Sequence, residues 1–270
     1  MRGFSLTKYY MDCVTEDGTV VLAYASDLTL GSVHVKHSSL LIVDIDGMVV
    51  SRQSFIRGML PEFVRGKWQW RCWPLSIQGS WTPVVPTAAP ISLYGSGPWR
   101  NVSWQCLAPR AKVWMSTKGW RLEGTGYMEC LTMNLEPWSL PLDSLHWGRF
   151  HADNGRALTW IVWEGDHPLS IMLENGKPIS LPGGIKTRPS GEGLDFAGCS
   201  LDLSCERVLR SGDISETVLT RSPMVLRRLL PDSILHLKET KWGGPASLVA
   251  PGLGAPENGY AIHEVVRFKP

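Results

Sequence analysis

The sequence predicts an all-β protein, built as an antiparallel barrel or sandwich. Three observations predict it. Short strand-like runs bounded by Gly, Pro, Asn or Asp follow one another without intervening helices. Asp46-Gly47 and Asn154-Gly155 signal tight hairpins, because primed turns need positive φ. No segment keeps a 3.6-residue apolar spacing over helical length.

After a polar, strand-like run that follows Phe4-Ser5-Leu6, the expected strands are Thr19–Ala25, Ser39–Val43, Met48–Ser54, Lys67–Trp73, Val102–Leu107, Lys112–Ser116, Trp120–Met128, Leu145–His151 and Leu158–Glu164. Gly165 to Gly193 is rich in Gly, Pro and polar residues and reads as a boundary. Further strands are expected at Gly198–Leu209, Ile214–Thr220, Ser233–Lys238 and Gly259–Phe268. This divides the chain into domains 1–165 and 166–270. The best helix candidate is Ser222 to Leu230, with Ser222 as cap, Pro223 at its first position and Pro231 as its stop. Trp242 to Gly259 reads as a Pro/Gly loop, either a long connection or a cover over a barrel mouth.

The 270 residues suffice for a sizeable core, and 43% hydrophobic with 19% charged residues is globular composition. Thirteen Trp stand against six Phe and six Tyr, an excess that suits large core residues and lined ligand cavities alike. A net charge of +2, without basic runs interleaved with aromatics, argues against a nucleic-acid partner. The small basic patch of Arg221, Arg227 and Arg228 reads as a solvated face. The six Cys show no C-x-x-C spacing, so a zinc ribbon or thioredoxin-type site is not expected. With no secretory hydrophobic region and no membrane-spanning apolar run, the chain reads as cytoplasmic with reduced thiols.

Gly124 to Gly165 concentrates the chemistry. Tyr127 and Glu129 share one face of a strand, since alternate residues point the same way. Trp147, Arg149, His151 and Asp153 share a face of another, and His146 with Phe150 takes its opposite face. Glu129 beside Trp rings has two readings: a proton donor in a ligand cavity, or half of a structural ion pair with Arg149. His146 is either a proton shuttle or a satisfied structural histidine. His34-x-x-His37 and His146-x4-His151 are poor metal pairs, because odd spacings place the rings on opposite faces. No metalloprotease, nucleophile-elbow or phosphate-cradling motif is present, and Gly124-Thr125-Gly126 lacks the third glycine of a dinucleotide site.

Three segments carry a family resemblance: Trp104-Gln105-Cys106-Leu107-Ala108-Pro109-Arg110-Ala111, Leu122-Glu123-Gly124-Thr125-Gly126-Tyr127-Met128-Glu129 and Leu145-His146-Trp147-Gly148-Arg149-Phe150. In this order they resemble the lipocalin-like superfamily of carotenoid 1,2-hydratases (hydroxyneurosporene synthase), tocopherol cyclases and fungal Diels–Alderases. That family carries a G-x-G-Y-x-[DE] strand and, downstream, a W-G-R or W-x-W strand facing one cavity. The resemblance covers about residues 100–165. Where the family follows its acid with His or Asn and then Trp-Gly, this chain has Cys130-Leu131-Thr132-Met133. Glu129 is therefore the position carried over as a candidate acid, and His146, Trp147 and Arg149 carry over as cavity wall.

The resemblance implies two consecutive antiparallel lipocalin-like (calycin-type) β-barrels packed together, the first holding a ligand cavity. It also implies a cofactor-independent enzyme that hydrates, cyclises or cycloadds a hydrophobic isoprenoid or polyene-type substrate. Such chemistry needs a shaped apolar cavity, one proton donor and π faces for developing positive charge. Glu129 is the expected donor, assisted by Tyr127 and His146, with Arg149 orienting a polar end. Trp104, Trp138, Trp147, Phe150 and Trp160 are the expected substrate contacts. The alternative is a non-catalytic carrier of a hydrophobic small molecule. No metal, no cofactor and no integral membrane segment are expected, and oligomeric state stays open.

Overall fold

A computed structural model describes residues 3–56, 58–95, 100–188, 191–217, 222, 224–252 and 254–268. The chain divides into two compact units, Met1–Ser139 with Arg221–Leu229, and Leu140–Thr220 with Leu230–Pro270. Each is built on one ten-stranded antiparallel sheet, so the all-β expectation holds.

The first sheet comprises β1 (Phe4–Thr15), β2 (Val20–Leu30), β3 (Val33–Val43), β4 (Val49–Ser54), β5 (Glu62–Val64), β6 (Lys67–Cys72), β7 (Ile77–Pro83), β8 (Ile91–Tyr94), β9 (Val102–Thr117) and β10 (Trp120–Met133). Its order is β4-β3-β2-β1-β10-β9-β7-β6-β5, with β8 added beside β9. The second comprises β11 (Ser144–Ala152), β12 (Ala157–Glu164), β13 (Leu169–Glu174), β14 (Lys177–Pro178), β15 (Ile185–Thr187), β16 (Gly193–Phe196), β17 (Cys199–Leu203), β18 (Val208–Asp213), β19 (Lys238–Val249) and β20 (Glu257–Arg267). Its order, β14-β13-β12-β11-β20-β19-β17-β16-β15 with β18 beside β19, repeats the first strand for strand. Both hairpin signals form, with Gly47 at φ 80 and Gly155 at φ 100.

Several expectations are corrected. The boundary lies between Ser139 and Leu140, not near 165, because β11 and β12 pair with each other and β11 pairs with β20 of the second sheet. The segment taken for a linker contains β13, β14 and β15. Gly198–Leu209 is two strands, β17 and β18. Ile214–Thr217 and Asp232–Leu235 are helical turns, and 218–220 lie outside the described residues. Trp242–Gly259 is largely strand, because Gly243-Gly244-Pro245 sits where β19 changes partner from β18 to β17. A Cβ on Gly243 would come 2.9 Å from Leu209 Cδ1, so close approach rather than a turn explains that glycine. The expected helix forms over Met224–Leu229, while Pro223 and Arg221 lie outside the described residues.

The expected strands Val102–Leu107 and Lys112–Ser116 are one strand, β9. The register of β9 against β10 shifts on both sides of Met128, and these irregularities accommodate Pro109 within a paired strand. Gly126 stands at the edge of that shift, where a Cβ would come 2.0 Å from the Asp12 carbonyl oxygen.

Each unit has its own apolar cluster. In the first it gathers Met11, Cys13, Val21, Ala23, Leu40, Ile42, Trp70, Trp81, Met115 and Met128. In the second it gathers Phe150, Leu158, Trp160, Val162, Met172, Leu201, Leu248 and Ala261. No helix among the described residues is long and apolar enough to cross a membrane.

Candidate functional site

Strand parity sets the site in the first unit. Met11 and Met128 pair across β1 and β10 and point into the apolar cluster. Their neighbours point the other way, and that face is buried too: Tyr10, Asp12, Tyr127 and Glu129 are 2%, 0%, 0% and 7% exposed. Tyr10 pairs with Glu129 and Asp12 with Tyr127, so two Tyr-x-acid steps run antiparallel about the methionine pair.

Each carboxyl is held by the phenol two residues before it. The Tyr127 hydroxyl donates to Glu129 Oε2 at 2.7 Å, and the Tyr10 hydroxyl donates to Asp12 Oδ2 at 3.1 Å. The Trp104 indole N–H, from β9, donates to the same Glu129 Oε2 at 2.6 Å. Burial, then Cys106 and Glu129 beside it, push the Tyr127 phenol well above its ordinary pKa, so it stays a proton donor at neutral pH. The rings of Tyr10, Tyr24 and Tyr127 pack together, with Tyr10 centroids 5.3 Å and 6.1 Å from its two neighbours.

The structure therefore brings Tyr127, Glu129 and Trp104 together. Tyr127 and Glu129 lie on the face opposite the first unit's apolar cluster, a choice of face that the sequence left open. Trp138 stands apart in a short turn, its ring edge-on to Phe4 at 6.0 Å.

The remaining candidates belong to the second unit and divide between the two faces of β11. Phe150 and Trp160 are in the apolar cluster, on the face that also carries His146. His146 Nε2 lies 3.5 Å from Glu164 Oε2. Trp147, Arg149 and His151 share the opposite face, and all three are buried. Arg149 is 1% exposed, and its Nη1 donates to the Tyr260 carbonyl at 3.3 Å. Trp147 lies under the Lys241 ammonium, 4.8 Å from its ring centroid, and Lys241 is ion-paired with Glu264. His146 and Arg149 thus lie on different faces of β11.

Sequence reasoning missed Tyr10, Asp12, Glu164, Lys241 and His263. For the first two a signal existed: Tyr10-Met11-Asp12 has the same pattern as Tyr127-Met128-Glu129. Among the described residues no group of three or more His, Cys, Asp or Glu is placed to hold a metal ion. All six cysteines are free thiols.

Two β units of this topology make a lipocalin-like fold, and solved structures share it across nearly the whole chain. CghA, solved with Sch210972, matches at TM-score 0.61 and 15% identity over 97% of this chain and 88% of its own. Kievitone hydratase from Nectria haematococca matches at TM-score 0.53 and 10% identity over 98% of this chain and 89% of its own. An AttH-type protein from Nitrosomonas europaea matches at TM-score 0.59 and 12% identity, covering 98% of this chain and 92% of its own. No protein-family model matches the chain, and no curated protein matches it by sequence. The chain has the lipocalin-like fold that the sequence resemblance implied.

Proposed function

We propose that the chain is an enzyme acting without a cofactor on a hydrophobic small molecule of isoprenoid or polyene type, by hydration, cyclisation or cycloaddition. One observation carries this reading: a buried glutamate, Glu129, whose Oε2 accepts hydrogen bonds from a phenol and an indole. An acid catalyst delivers a proton from this carboxyl to the substrate, while Oε2 accepts from the phenol and the indole. Tyr127 and Trp104 hold the carboxyl in one rotamer and steady the carboxylate left after transfer. Tyr10, Tyr24 and Tyr127 supply π faces beside it. On the second sheet, Arg149 with Trp147 is suited to orient a polar group of a ligand lying on that face. The fold supports the reading through its neighbours, since one structure of this fold is kievitone hydratase and another is CghA solved with Sch210972.

A carrier of a hydrophobic ligand is the second reading, favoured by the position of Glu129 on the face away from the apolar cluster. One experiment separates the two. Native mass spectrometry of the purified protein identifies the co-purifying molecule, and turnover of that molecule or its precursor is compared with Glu129→Gln. Loss of turnover by a hundredfold or so with retained binding supports catalysis, the range of a lost general acid. Wild-type turnover in the variant removes Glu129 from the chemistry.

A further inference from the structure

We propose that His146 and Glu164 form a second acid–base site, on the core face of the second sheet, for a small phenol with an apolar body. Four cross-strand rows lead to it along β12, β11, β20 and β19. Leu158, Phe150 and Ala261 form an apolar row. Trp160, Gly148, His263 and Trp242 form the next, then Val162, His146, Val265 and Thr240, and last Glu164, Ser144, Arg267 and Lys238. Polarity rises row by row toward the strand ends. A Cβ on Gly148 would come 2.2 Å from Trp160 Cζ2, so the ring fills the place of a side chain there.

His146 is oriented as a base is oriented. Its Nε2 faces Glu164 Oε2 at 3.5 Å. Glu164 is fixed in turn: the Ser144 hydroxyl donates to Oε2 at 2.5 Å and the Thr187 hydroxyl to Oε1 at 2.9 Å. With its proton on Nε2 toward that carboxylate, the imidazole presents the Nδ1 lone pair, and no described residue is hydrogen-bonded to Nδ1. The side chain keeps 13% exposure, so Nδ1 lies near the rim rather than sealed in the core. Burial lowers the His146 pKa, Glu164 raises it, and Arg267 lowers it, with a net downward shift that leaves the ring neutral at pH 7. His263, one row below, and Lys238, on the row above, are the other titratable groups of these rows.

The chemistry of the rim selects the ligand. A neutral Nδ1 needs a proton donor, and Arg267 favours a donor that becomes an anion. A carboxylic acid arrives already ionised at neutral pH, and an aliphatic alcohol is too weak an acid for imidazole. A phenol meets both demands, with its body against Val162, Val265 and Trp242. In the step the phenol O–H bond breaks and an Nδ1–H bond forms. The imidazolium is held by Glu164 and the phenolate oxygen stands beside Arg267, with nothing oxidised or reduced.

The test uses 4-nitrophenol, whose absorbance reports its ionisation, at a pH just below its own pKa. Wild-type protein is expected to shift the bound probe toward phenolate. His146→Asn is expected to lose the spectral shift and to bind about tenfold more weakly, the worth of one such hydrogen bond. Glu164→Gln, which leaves the imidazole in place, is expected to keep binding but lose most of the shift. Glu129→Gln is expected to behave as wild type, which separates this site from the reading built on Glu129. A wild-type spectrum in either His146→Asn or Glu164→Gln overturns the proposal. So does absence of binding by the wild type, with the His146 imidazole NMR signals unmoved by the probe. Should the His146 variant fail to fold, the Glu164 variant decides alone.

Discussion

Acidification should weaken the fold through one histidine. His263 is 3% exposed, stacked on Trp242 at 5.1 Å, and hydrogen-bonded through Nε2 to the Ser204 carbonyl. Burial, with Lys241 and His146 adding to it, lowers its pKa from 6.5 to about 4 against the opposing pull of Ser204. The folded state thus binds fewer protons than the unfolded state between those values, and stability rises with pH across the interval. Seen from the acid side, stability is complete above pH 6.5 and is lost progressively as pH falls toward 4. At pH 4.5, where unfolded His263 is almost fully protonated and the folded form is mostly neutral, the loss comes to about 2.5 kcal/mol. Glu164, whose carboxyl is held below its usual value, loses stability only as pH falls below 4.5, so the higher window belongs to the imidazoles. His146 contributes there with the same sign. The assay is urea or thermal unfolding of the wild type and His263→Asn across that window, with a wild-type Tm fall of roughly 5–10 °C. The variant is expected to be less stable throughout but to have a much flatter pH profile. An unchanged slope in His263→Asn, or a wild type that gains stability on acidification, refutes the reasoning.

Tyr127→Phe removes a donor to a buried carboxyl and should cost about 1.5–3 kcal/mol in urea unfolding, with no loss of packing volume to share the blame. Gly148→Ala drives a methyl into the Trp160 ring and the His263 Cβ, and should destabilise the second unit by about 2–3 kcal/mol. Lys241→Met strands the Glu264 carboxylate, which is 14% exposed, at a cost of about 3 kcal/mol. Adding Glu264→Gln should restore most of that stability in a double-mutant cycle.

The strands were legible because their signals are local. Alternation, turn residues and the two hairpin dipeptides act within a few positions, and β3, β11 and β12 all include the expected segments. The errors arose where an element depends on a distant partner. Gly243-Gly244-Pro245 carries every local mark of a loop, yet it lies in a strand whose neighbours change at that point. The boundary failed for the same reason. A Gly- and Pro-rich stretch after Glu164 looks like a linker, but β11 pairs with a strand about a hundred residues later and carries β12 with it into the second sheet.

The candidate site shows the same division at the level of single residues. Parity along one strand correctly separated Tyr127 and Glu129 from Met128, and Arg149 from His146. Parity does not say which strand lies alongside, so the sequence pointed to one carboxylate when the sheet holds two. In register, Met11 against Met128 places Asp12 opposite Tyr127 and Tyr10 opposite Glu129. Two buried carboxyls on adjacent strands of one face, each held by its own phenol, cannot both be read as incidental core polarity. Leaving either unpartnered would cost about 1–3 kcal/mol or more, so the phenols are the condition for keeping the acids there at all. The second sheet, which repeats the first strand for strand, carries Trp147, Arg149 and Glu264 on its matching central pair, β11 and β20, with Lys241 on the neighbouring β19. The repeat therefore conserves a buried polar face on each central strand pair while changing its chemistry, from phenol-held acids to guanidinium and ammonium. A scaffold that needed only stability would have filled both faces with apolar side chains, as it does on the faces of Met128 and Phe150.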